Sequence, residues 1–239
     1  MQMFIGVKMY PNPQAYDRGV MFNPDGRLFQ VEYAKEAVRR GAVALGMAVK
    51  DGTVFAAHKN IEEPLIVPES FEKVFRVDAH IGATYSGLVA DALHLINTAR
   101  SSAQSHRLVF DEVKSIESVT KDISDYMLQA TFYGGVRPYG ISLIIGGIDP
   151  DPRLFLIDPS ASLIGYKAVA VGTGAKLAND MLSKERKDTL SVEDGIRLGV
   201  KIVKKVNEGK LTSDHIDVGY VQKGGEFTIL KPEEIEKYF

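Results

Sequence analysis

The sequence contains no cysteine, and it has no apolar run long enough to span a bilayer. The absence of cysteine excludes disulfides, thiolate metal sites and a cysteine nucleophile. Without a secretory h-region or a membrane-spanning segment, the chain is expected to be cytoplasmic. Acidic residues outnumber basic ones only by 31 to 29, so there is no electrostatic reason to expect binding to nucleic acid or to an anionic membrane.

Several common catalytic and cofactor motifs are also missing. The chain has no Gly-x-Ser-x-Gly elbow, and its five histidines show neither HExxH nor i,i+4 pairing, so no zinc site is expected. Two glycine-rich pieces, Gly172-Thr173-Gly174 and Gly134-Gly135, fit neither the phosphate-loop nor the dinucleotide spacing. They are interpreted as turn or close-packing glycines. No cofactor and no metal is therefore expected.

What the sequence does contain is a succession of short β-forming runs and amphipathic helices. A turn at residues 23–26 (Asn-Pro-Asp-Gly) precedes a helix predicted over 27–40. Four apolar residues of this helix fall at helical spacing: Phe29, Tyr33, Ala37 and Val38. Asp51-Gly52 predicts a hairpin between the first two strands. Further helices are predicted from apolar stripes within 88–103 and 113–130, over 175–187 and 192–208, and from Pro232; strands are predicted over 43–49, 53–57, 74–77, 81–85, 140–148, 153–157, 167–172, 216–222 and 226–230.

The order of these elements bears on the fold class. Strands and helices come in pairs rather than in βαβ alternation, which favours antiparallel sheets with helix pairs packed outside them. A chain of 239 residues can bury a substantial core, and neither a repeat nor an internal linker divides it. The expectation is a single α+β domain over 1–239. Two stacked sheets covered by helices on both sides are consistent with this order, but periodicity alone does not establish the stacking.

Four motifs, in order along the chain, carry a resemblance to a known family. They are Tyr16-Asp17-Arg18 and residues 24–34 (Pro-Asp-Gly-Arg-Leu-Phe-Gln-Val-Glu-Tyr-Ala), 86–91 (Ser-Gly-Leu-Val-Ala-Asp) and 133–140 (Tyr-Gly-Gly-Val-Arg-Pro-Tyr-Gly). From Tyr16 to about Lys237 the chain resembles archaeal-type proteasome α-subunits. The resemblance implies a four-layer αββα sandwich, the N-terminal nucleophile (Ntn) hydrolase fold. It also implies a heptameric 20S α-ring that stacks on catalytic β-subunits and gates the entry of unfolded protein substrates.

The same fold can carry threonine-protease chemistry, in which a free α-amine acts as base for an N-terminal hydroxyl. The β-type threonine position falls near Ala42, which has no hydroxyl and follows a complete predicted helix. The acidic position on the next strand aligns with His58, and the β-type lysine position aligns with Lys73. The resemblance thus implies an inert chain. The alternative, a self-standing or β-like Ntn amidohydrolase or peptidase, requires a processed nucleophile in place of Ala42.

The resemblance assigns a role to the remaining lysine. Lys73 is implied to line a pocket between neighbouring subunits and to pair with the C-terminal carboxylate of a regulatory AAA ATPase tail, for which a single ammonium is suited. Gly41 matches a backbone contact in the same activator-tail pocket. Judged on its own sequence context, Lys73 is instead a surface lysine, paired with a neighbouring glutamate such as Glu69 or Glu72.

A gate is implied at the start of the chain. Tyr16, Asp17, Pro24 and Tyr33 match the cluster that stabilises the open gate, and residues 1–15 match the N-terminal gate arm. Tyrosine supplies a stacking surface and a hydroxyl, aspartate an acceptor, and proline a fixed turn whose displacement moves the attached arm. Judged without the family, both tyrosines are interpreted as helix-packing residues.

Two further segments complete the implied site. The helix over 27–40 is the family's ring-forming element, and three residues at its start are implied to pack against the adjacent α-subunit: Arg27, Leu28 and Phe29. The 133–140 loop matches the constriction beneath the gate, formed by Tyr133, Gly134 and Gly135. The glycine pair permits a tight turn with positive φ, and Arg137-Pro138 restricts the return path.

The chain departs from the usual archaeal pattern in three places. Residues 41–44 (Gly-Ala-Val-Ala) lack the Ser or Thr commonly found beside the activator pocket. Residues 57–60 (Ala-His-Lys-Asn) replace the more usual Ser/Ala-Asp-Lys-Arg, and residues 158–162 (Asp-Pro-Ser-Ala-Ser) lack the glycine that often follows Pro-Ser. None of these departures falls on the gate cluster.

Overall fold

The computed structural model describes residues 21–61, 63, 65–133, 135–208 and 211–239. Within this part of the chain the strands are β1 (Ala44–Val49), β2 (Gly52–His58), β3 (Val74–Asp78), β4 (Ile81–Gly87), β5 (Ile141–Asp149), β6 (Asp151–Ile157), β7 (Leu163–Gly165), β8 (Ala168–Val171), β9 (Ile216–Gln222) and β10 (Thr228–Ile229). The α-helices are α1 (Phe29–Arg40), α2 (Val89–Phe110), α3 (Ile116–Phe132), α4 (Ala175–Glu185), α5 (Val192–Val206) and α6 (Pro232–Ile235).

The strands form two five-stranded antiparallel sheets. The first sheet has the order β10-β9-β2-β1-β8, and the second has the order β3-β4-β5-β6-β7. The Asp51-Gly52 turn joins β1 to β2 with Val49 opposite Gly52, which confirms the predicted hairpin. Every residue of β1 and β2 is buried, because both faces of the first sheet are covered.

Three apolar clusters define four layers. Helices α4 and α5 pack on the outer face of the first sheet, where Leu45 and Val54 meet Ile196 and Ile202. Helices α2 and α3 cover the second sheet through a separate cluster. A third cluster lies between the two sheets and includes Phe55, Ile144 and Leu154, among other side chains. The observed αββα sandwich confirms the fold class expected from the sequence.

The structure corrects several details of the predicted elements. Helix α1 begins at Phe29 rather than at residue 27, and Val113 is exposed in the loop before α3 instead of belonging to the helical stripe. The last predicted strand is reduced to Thr228–Ile229. Strand β7 was not predicted; it follows a turn in which the Asp158 carboxylate accepts bonds from the amides of Ser160 and Ser162. This turn holds Ala161 at φ 60°, a left-handed conformation that non-glycine residues rarely adopt.

The C-terminal end of α1 is inserted into one end of the sandwich. Val38 belongs to the cluster between the sheets, and its carbonyl accepts a hydrogen bond from the Ser86 hydroxyl at 3.1 Å. Thr173 binds the next turn twice, since its amide donates to the Gly41 carbonyl at 2.8 Å and its hydroxyl donates to the Arg39 carbonyl at 3.1 Å. The chain therefore passes from α1 into β1 through a fixed junction.

Glycine at position 172 is required by this junction. Gly172 has φ 94°, and a Cβ on it would lie 2.5 Å from the Ser86 hydroxyl, 2.7 Å from the Ala42 carbonyl oxygen and 2.8 Å from the Gly41 carbonyl oxygen. Two of these three atoms are backbone, so the clash is not relieved by a side-chain rotation. The interpretation of this glycine as a close-packing residue is confirmed.

We expect Gly172→Ala to lower the free energy of unfolding by about 2–4 kcal/mol, because it adds backbone strain and a clash at the α1–β1 junction. Gly224→Ala is the matched control: Gly224 has φ 82°, but a Cβ there would meet nothing within 4 Å. Urea denaturation of both variants separates the two contributions. Equal losses in the two variants would show that the junction tolerates a methyl group.

Candidate functional site

The position that would hold a nucleophile lies at the start of β1. Ala42 is half-buried and follows directly on α1 and Gly41, so no free amine stands beside it. His58 is buried at the end of β2, and its amide donates to the Val43 carbonyl at 2.9 Å. A chain continuous with a packed helix, together with a side chain lacking a hydroxyl, provides neither of the groups that N-terminal nucleophile catalysis needs.

Lys73 lies immediately before β3 and is not a surface residue. Only 3% of it is exposed, and its ammonium sits 3.8 Å from the centroid of the Tyr85 ring, in a cation–π contact. The pairing of β3 with β4, in which Val74 lies opposite Thr84, brings these two side chains together. The interpretation of Lys73 as an exposed lysine paired with a neighbouring glutamate is therefore wrong.

The nearest acidic group, Asp217, is already engaged by other donors. One of its carboxylate oxygens accepts the backbone amide of Lys73 at 2.7 Å, and the other lies 3.2 Å from the Lys59 ammonium. Lys59 and Asp217 are thus a largely buried ion pair. The Lys73 ammonium remains buried without a direct carboxylate partner among the described residues.

The electrostatic consequence is that Lys73 loses its proton more readily than an exposed lysine does. Burial lowers the pKa of Lys73 to about 8, and the Asp217 carboxylate offsets part of that effect. Burial, followed by the charge of Asp217, raises the pKa of Tyr85 to about 12, so the phenol keeps its proton. The Tyr85 hydroxyl is buried and has no hydrogen-bond partner among the described residues. Among the described residues, neither the Lys73 ammonium nor the Tyr85 hydroxyl has the oxygen acceptor to which each can donate a hydrogen bond.

Gly41 and Lys73, the two predicted residues of the activator-tail pocket, meet the same end of β4. Lys73 lies on Tyr85, and Gly41 packs against the backbone amide of Gly87 and the Ser86 hydroxyl so closely that a Cβ has no room. The structure therefore brings both residues to one strand terminus. Their role in binding a tail stays a prediction.

The turn before α1 is built around Asn23. Its buried side-chain oxygen accepts the amides of Asp25 at 3.1 Å and Arg27 at 2.8 Å, and Gly26 follows with φ 74°. This side chain stabilises the turn rather than capping the helix, since α1 has Leu28 at its N-cap. Pro24 is exposed on this rigid turn. Tyr16, Asp17 and the 1–15 arm lie outside the described residues.

Helix α1 presents two apolar faces. The face that packs on the sandwich consists of Val31, Ala34 and Val38; of the predicted stripe, Val38 lies on this face, whereas Phe29 and Tyr33 do not. The Phe29 and Tyr33 rings stack on each other with centroids 6.4 Å apart, and Tyr33 is 52% exposed. Tyr33 is therefore not a core-packing residue. Of the predicted ring-interface residues, Arg27 is exposed, whereas Leu28 and Phe29 are half-buried.

The loop between α3 and β5 carries the predicted constriction residues. Tyr133 is 63% exposed, and Gly135 has φ 86° with open space around it; Gly134 lies outside the described residues. The return of the loop is anchored by the buried carboxylate of Asp91, which accepts two bonds of 2.7 Å from the Arg137 guanidinium and one of 2.8 Å from the Gly140 amide. Burial opposes ionisation of Asp91, but these bonds hold its pKa below the usual value.

An aromatic group supports the same loop. Tyr139 stacks on His94 with ring centroids 6.1 Å apart, and the His94 ring nitrogen lies 2.9 Å from the Tyr126 hydroxyl. Burial and the Tyr126 hydrogen bond raise the pKa of Tyr139 to about 12. Asp91 occurs in a motif that carries the resemblance, but neither this aromatic group nor the Lys73–Tyr85 pair was anticipated from the sequence.

No group of three or more His, Asp or Glu side chains among the described residues comes together in a way that could hold a metal ion. No helix in the described part of the chain is both long and apolar enough to cross a membrane.

Comparison with known proteins agrees with this geometry. The family model described as "Proteasome subunit" matches residues 38–221, and the model for the N-terminal signature of A-type proteasome subunits matches residues 16–37. The protein named proteasome subunit alpha from Archaeoglobus fulgidus is 44% identical over 96% of this chain and 94% of its own length. Those from Methanosarcina mazei and Methanocaldococcus jannaschii are each 45% identical, over 93% and 97% of this chain and 91% and 89% of their own lengths.

The sandwich without a nucleophile and the matched segments define a subunit of the proteasome class. The chain belongs to this family as an α-type subunit of the 20S core, the non-catalytic type, which assembles with other α-subunits and with β-subunits. The alternative of a self-standing amidohydrolase is thereby set aside.

We expect Asp91→Asn to lower the free energy of unfolding by about 1–3 kcal/mol near neutral pH, because the buried acceptor loses its charge-assisted bonds to Arg137. Since the pKa of Asp91 is lowered by folding, its stabilisation is present above the ordinary aspartate pKa and is lost as the pH falls through the folded value. The variant should therefore approach the wild type in acid, below about pH 4.

Urea denaturation across this pH range measures the effect, and hydrogen exchange reports the amides of residues 135–137, 139 and 140. Asp125→Asn, at an exposed position on α3, is the control and should change little. A pH-independent loss in Asp91→Asn would contradict the assigned role of the carboxylate.

We expect Lys73→Met to raise the free energy of unfolding at pH 7 by about 1–3 kcal/mol, because a buried ammonium without a carboxylate is replaced by an apolar side chain of similar length. Folding lowers the pKa of Lys73 to about 8, so the charge costs stability below that pH. Between about pH 8 and pH 10 the unfolded chain binds more protons, wild-type stability recovers and the gap closes.

Denaturation at pH 7 and pH 10 tests the sign of the stability difference between Lys73→Met and the wild type. The exposed Lys50→Met is the control, for which little change is expected at either pH. A Lys73→Met variant less stable than the wild type at pH 7 would mean that the cation–π contact outweighs the burial cost.

Proposed function

We propose that this chain forms a heptameric α-ring that gates the entry of unfolded proteins to the β-subunit chamber. In this proposal the C-terminal tails of a regulatory AAA ATPase dock between neighbouring α-subunits, at Lys73 and Gly41, and the complex works in the cytoplasm. The observation that carries the docking proposal is the buried ammonium of Lys73, which lacks a direct carboxylate partner within the described residues.

The surroundings of Lys73 favour a carboxylate ligand. Asp217 is committed to Lys59 and to the Lys73 amide, so an incoming carboxylate does not displace an existing ion pair of the Lys73 side chain. Because the ammonium is nearly buried, it has to leave the face of the Tyr85 ring to reach a ligand at the subunit boundary. Docking then exchanges a cation–π contact for a charge-assisted hydrogen bond, which is the stronger interaction in a desolvated pocket.

The gating part of the proposal rests on α1 and the turn before it. Pro24 stands exposed on a turn held by the Asn23 side chain, so in this proposal a displacement of Pro24 moves the turn as one unit. The Phe29–Tyr33 stack, in which Tyr33 is exposed and Phe29 half-buried, offers an apolar surface to a neighbouring subunit and, at its outer edge, to the gate cluster. Tyr16 and Asp17 are the proposed partners of Tyr33 in the open state.

The 133–140 loop is the proposed constriction. Its exposed tip residues Tyr133 and Val136 stand beyond an anchored base, since Asp91 fixes Arg137 and the Gly140 amide. Because the base of the loop is fixed, the loop is suited to form a passage of constant width. In this proposal an extended chain passes through it but a folded domain does not.

We expect Lys73→Met to weaken binding of a labelled ATPase-tail peptide by about tenfold or more, because the carboxylate loses its cation. Fluorescence anisotropy with the assembled core particle measures this affinity. The same variant should lose the tail-stimulated hydrolysis of fluorogenic peptides. With the wild type, affinity should fall as the pH rises from 7 to 9, since Lys73 has a pKa of about 8 and loses its charge over this range.

A carboxamide-capped peptide is the matched ligand control and should bind weakly to wild type and variant alike. Lys50→Met is the protein control, and native mass spectrometry checks that every variant still forms seven-membered rings. Unchanged peptide affinity in Lys73→Met would refute the pocket, whereas a stable monomer in the wild type would refute the ring itself.

A further inference from the structure

A groove on the outer helical layer is used by none of the proposed sites. It lies between α4, α5 and the last three residues of the sequence, and its volume is about 1220 Å³. These helices cover the first sheet, whereas the proposed constriction loop extends from α3 beside the second sheet. The groove therefore has to be explained separately from gating and tail docking.

The groove concentrates positive charge on a chain whose net charge is −2. Three acidic side chains line it, against six basic ones: Lys184, Arg197, Lys201, Lys204, Lys205 and Lys237. Glu185 is neutralised locally by Lys201. Lys184, Lys205 and Lys237 form no ion pair with any other described residue. Unpaired lysines around a concave surface attract an anionic partner and raise its rate of encounter.

The groove also offers apolar surface. Leu177 is 44% exposed on α4, and Met181 is half-buried one turn further along. At the other side the Tyr238 and Phe239 rings contribute aromatic carbon. A concave surface with apolar side chains and a basic rim is complementary to a segment that carries apolar residues on one face and carboxylates at its edges.

The part of the groove formed by the last two residues is held by contacts with α5. The Arg197 guanidinium lies 5.5 Å from the Tyr238 ring centroid, and the Lys204 ammonium lies 4.1 Å from that of Phe239 and donates to its carbonyl oxygen at 3.2 Å. These cations occupy ring faces on which a nucleic-acid base would stack. The contacts thus favour a peptide over RNA as the anionic partner.

We propose that this groove is a docking site for an acidic, amphipathic peptide segment of a partner protein. The partner's apolar side chains contact Leu177 and Met181, and its carboxylates pair with Lys184, Lys205 and Lys237. Docking here leaves the residues proposed for the gate and the tail pocket untouched, so it serves to attach a partner rather than to open the gate.

The test uses the assembled core particle and a fluorescein-labelled helical peptide of about four turns, with Leu on one face and Glu on its edges. Saturable binding that weakens with salt is expected by anisotropy. Lys184→Glu/Lys205→Glu should weaken it by about tenfold or more, and Leu177→Ser should weaken it severalfold. The control, Lys50→Glu/Lys187→Glu, makes the same change in net charge at exposed positions outside the groove and should alter affinity less than about twofold.

Three results would overturn the proposal. One is the absence of saturable binding, and another is an equal loss in both double variants, which would mean that overall charge alone is sensed. The third is tighter binding of a labelled oligouridylate than of the peptide, with the same sensitivity to the groove variant. Tail-stimulated hydrolysis should be unchanged in Lys184→Glu/Lys205→Glu, so a failure here is distinguishable from a failure of the gating proposal.

Discussion

The insertion of the α1 C-terminus between the two sheets is the constraint on which the rest of this structure depends. Val38 enters the cluster between the sheets, and Gly41 and Gly172 allow the backbone to approach Ser86 and Thr173 within hydrogen-bond distance. A side chain at either glycine would displace the helix from the sandwich end. The inserted helix covers the start of β1 with continuous chain. It also leaves the face of α1 that carries Phe29 and Tyr33 outside the sandwich.

The same constraint explains why one fold serves both catalytic and non-catalytic subunits. An Ntn site needs a chain terminus where β1 begins, whereas here that point is covered by a helix and occupied by Ala42. Lys73, which the resemblance places at the lysine position of β-type sites, then has no nucleophile to activate. It is held instead on the Tyr85 ring, where we expect its burial to cost stability that an apolar residue of the same size would not. A costly buried charge is a reason to look for a ligand.

Much of the fold could be predicted from the sequence, because periodicity and turn residues act locally. Asp51-Gly52 specifies its hairpin, and the paired order of elements indicates antiparallel sheets. The predictions that failed concern features set by contacts between residues far apart in the sequence. The buried face of α1 is set by the sheets beneath it, and the burial of Lys73 follows from a strand register that places Tyr85 beside it. The roles of the predicted site residues stay predictions, and Tyr16, Asp17 and Gly134 lie outside the described residues.

Three successive residues at the end of β4 connect the proposed sites. Tyr85 holds the Lys73 ammonium, Ser86 bonds the last turn of α1 through Val38, and Gly87 packs directly on the Gly140 carbonyl at the base of the constriction loop. When the Lys73 ammonium leaves the Tyr85 ring, the change therefore occurs one residue from Ser86, which bonds α1, and two residues from Gly87, which contacts the loop. The backbone at Gly87 and Gly140 is packed too closely for side-chain rearrangement to absorb a movement. A shift of this strand end is therefore expected to move helix α1 and the loop together. In the proposed function, this short set of contacts is the route by which tail docking would act on the gate.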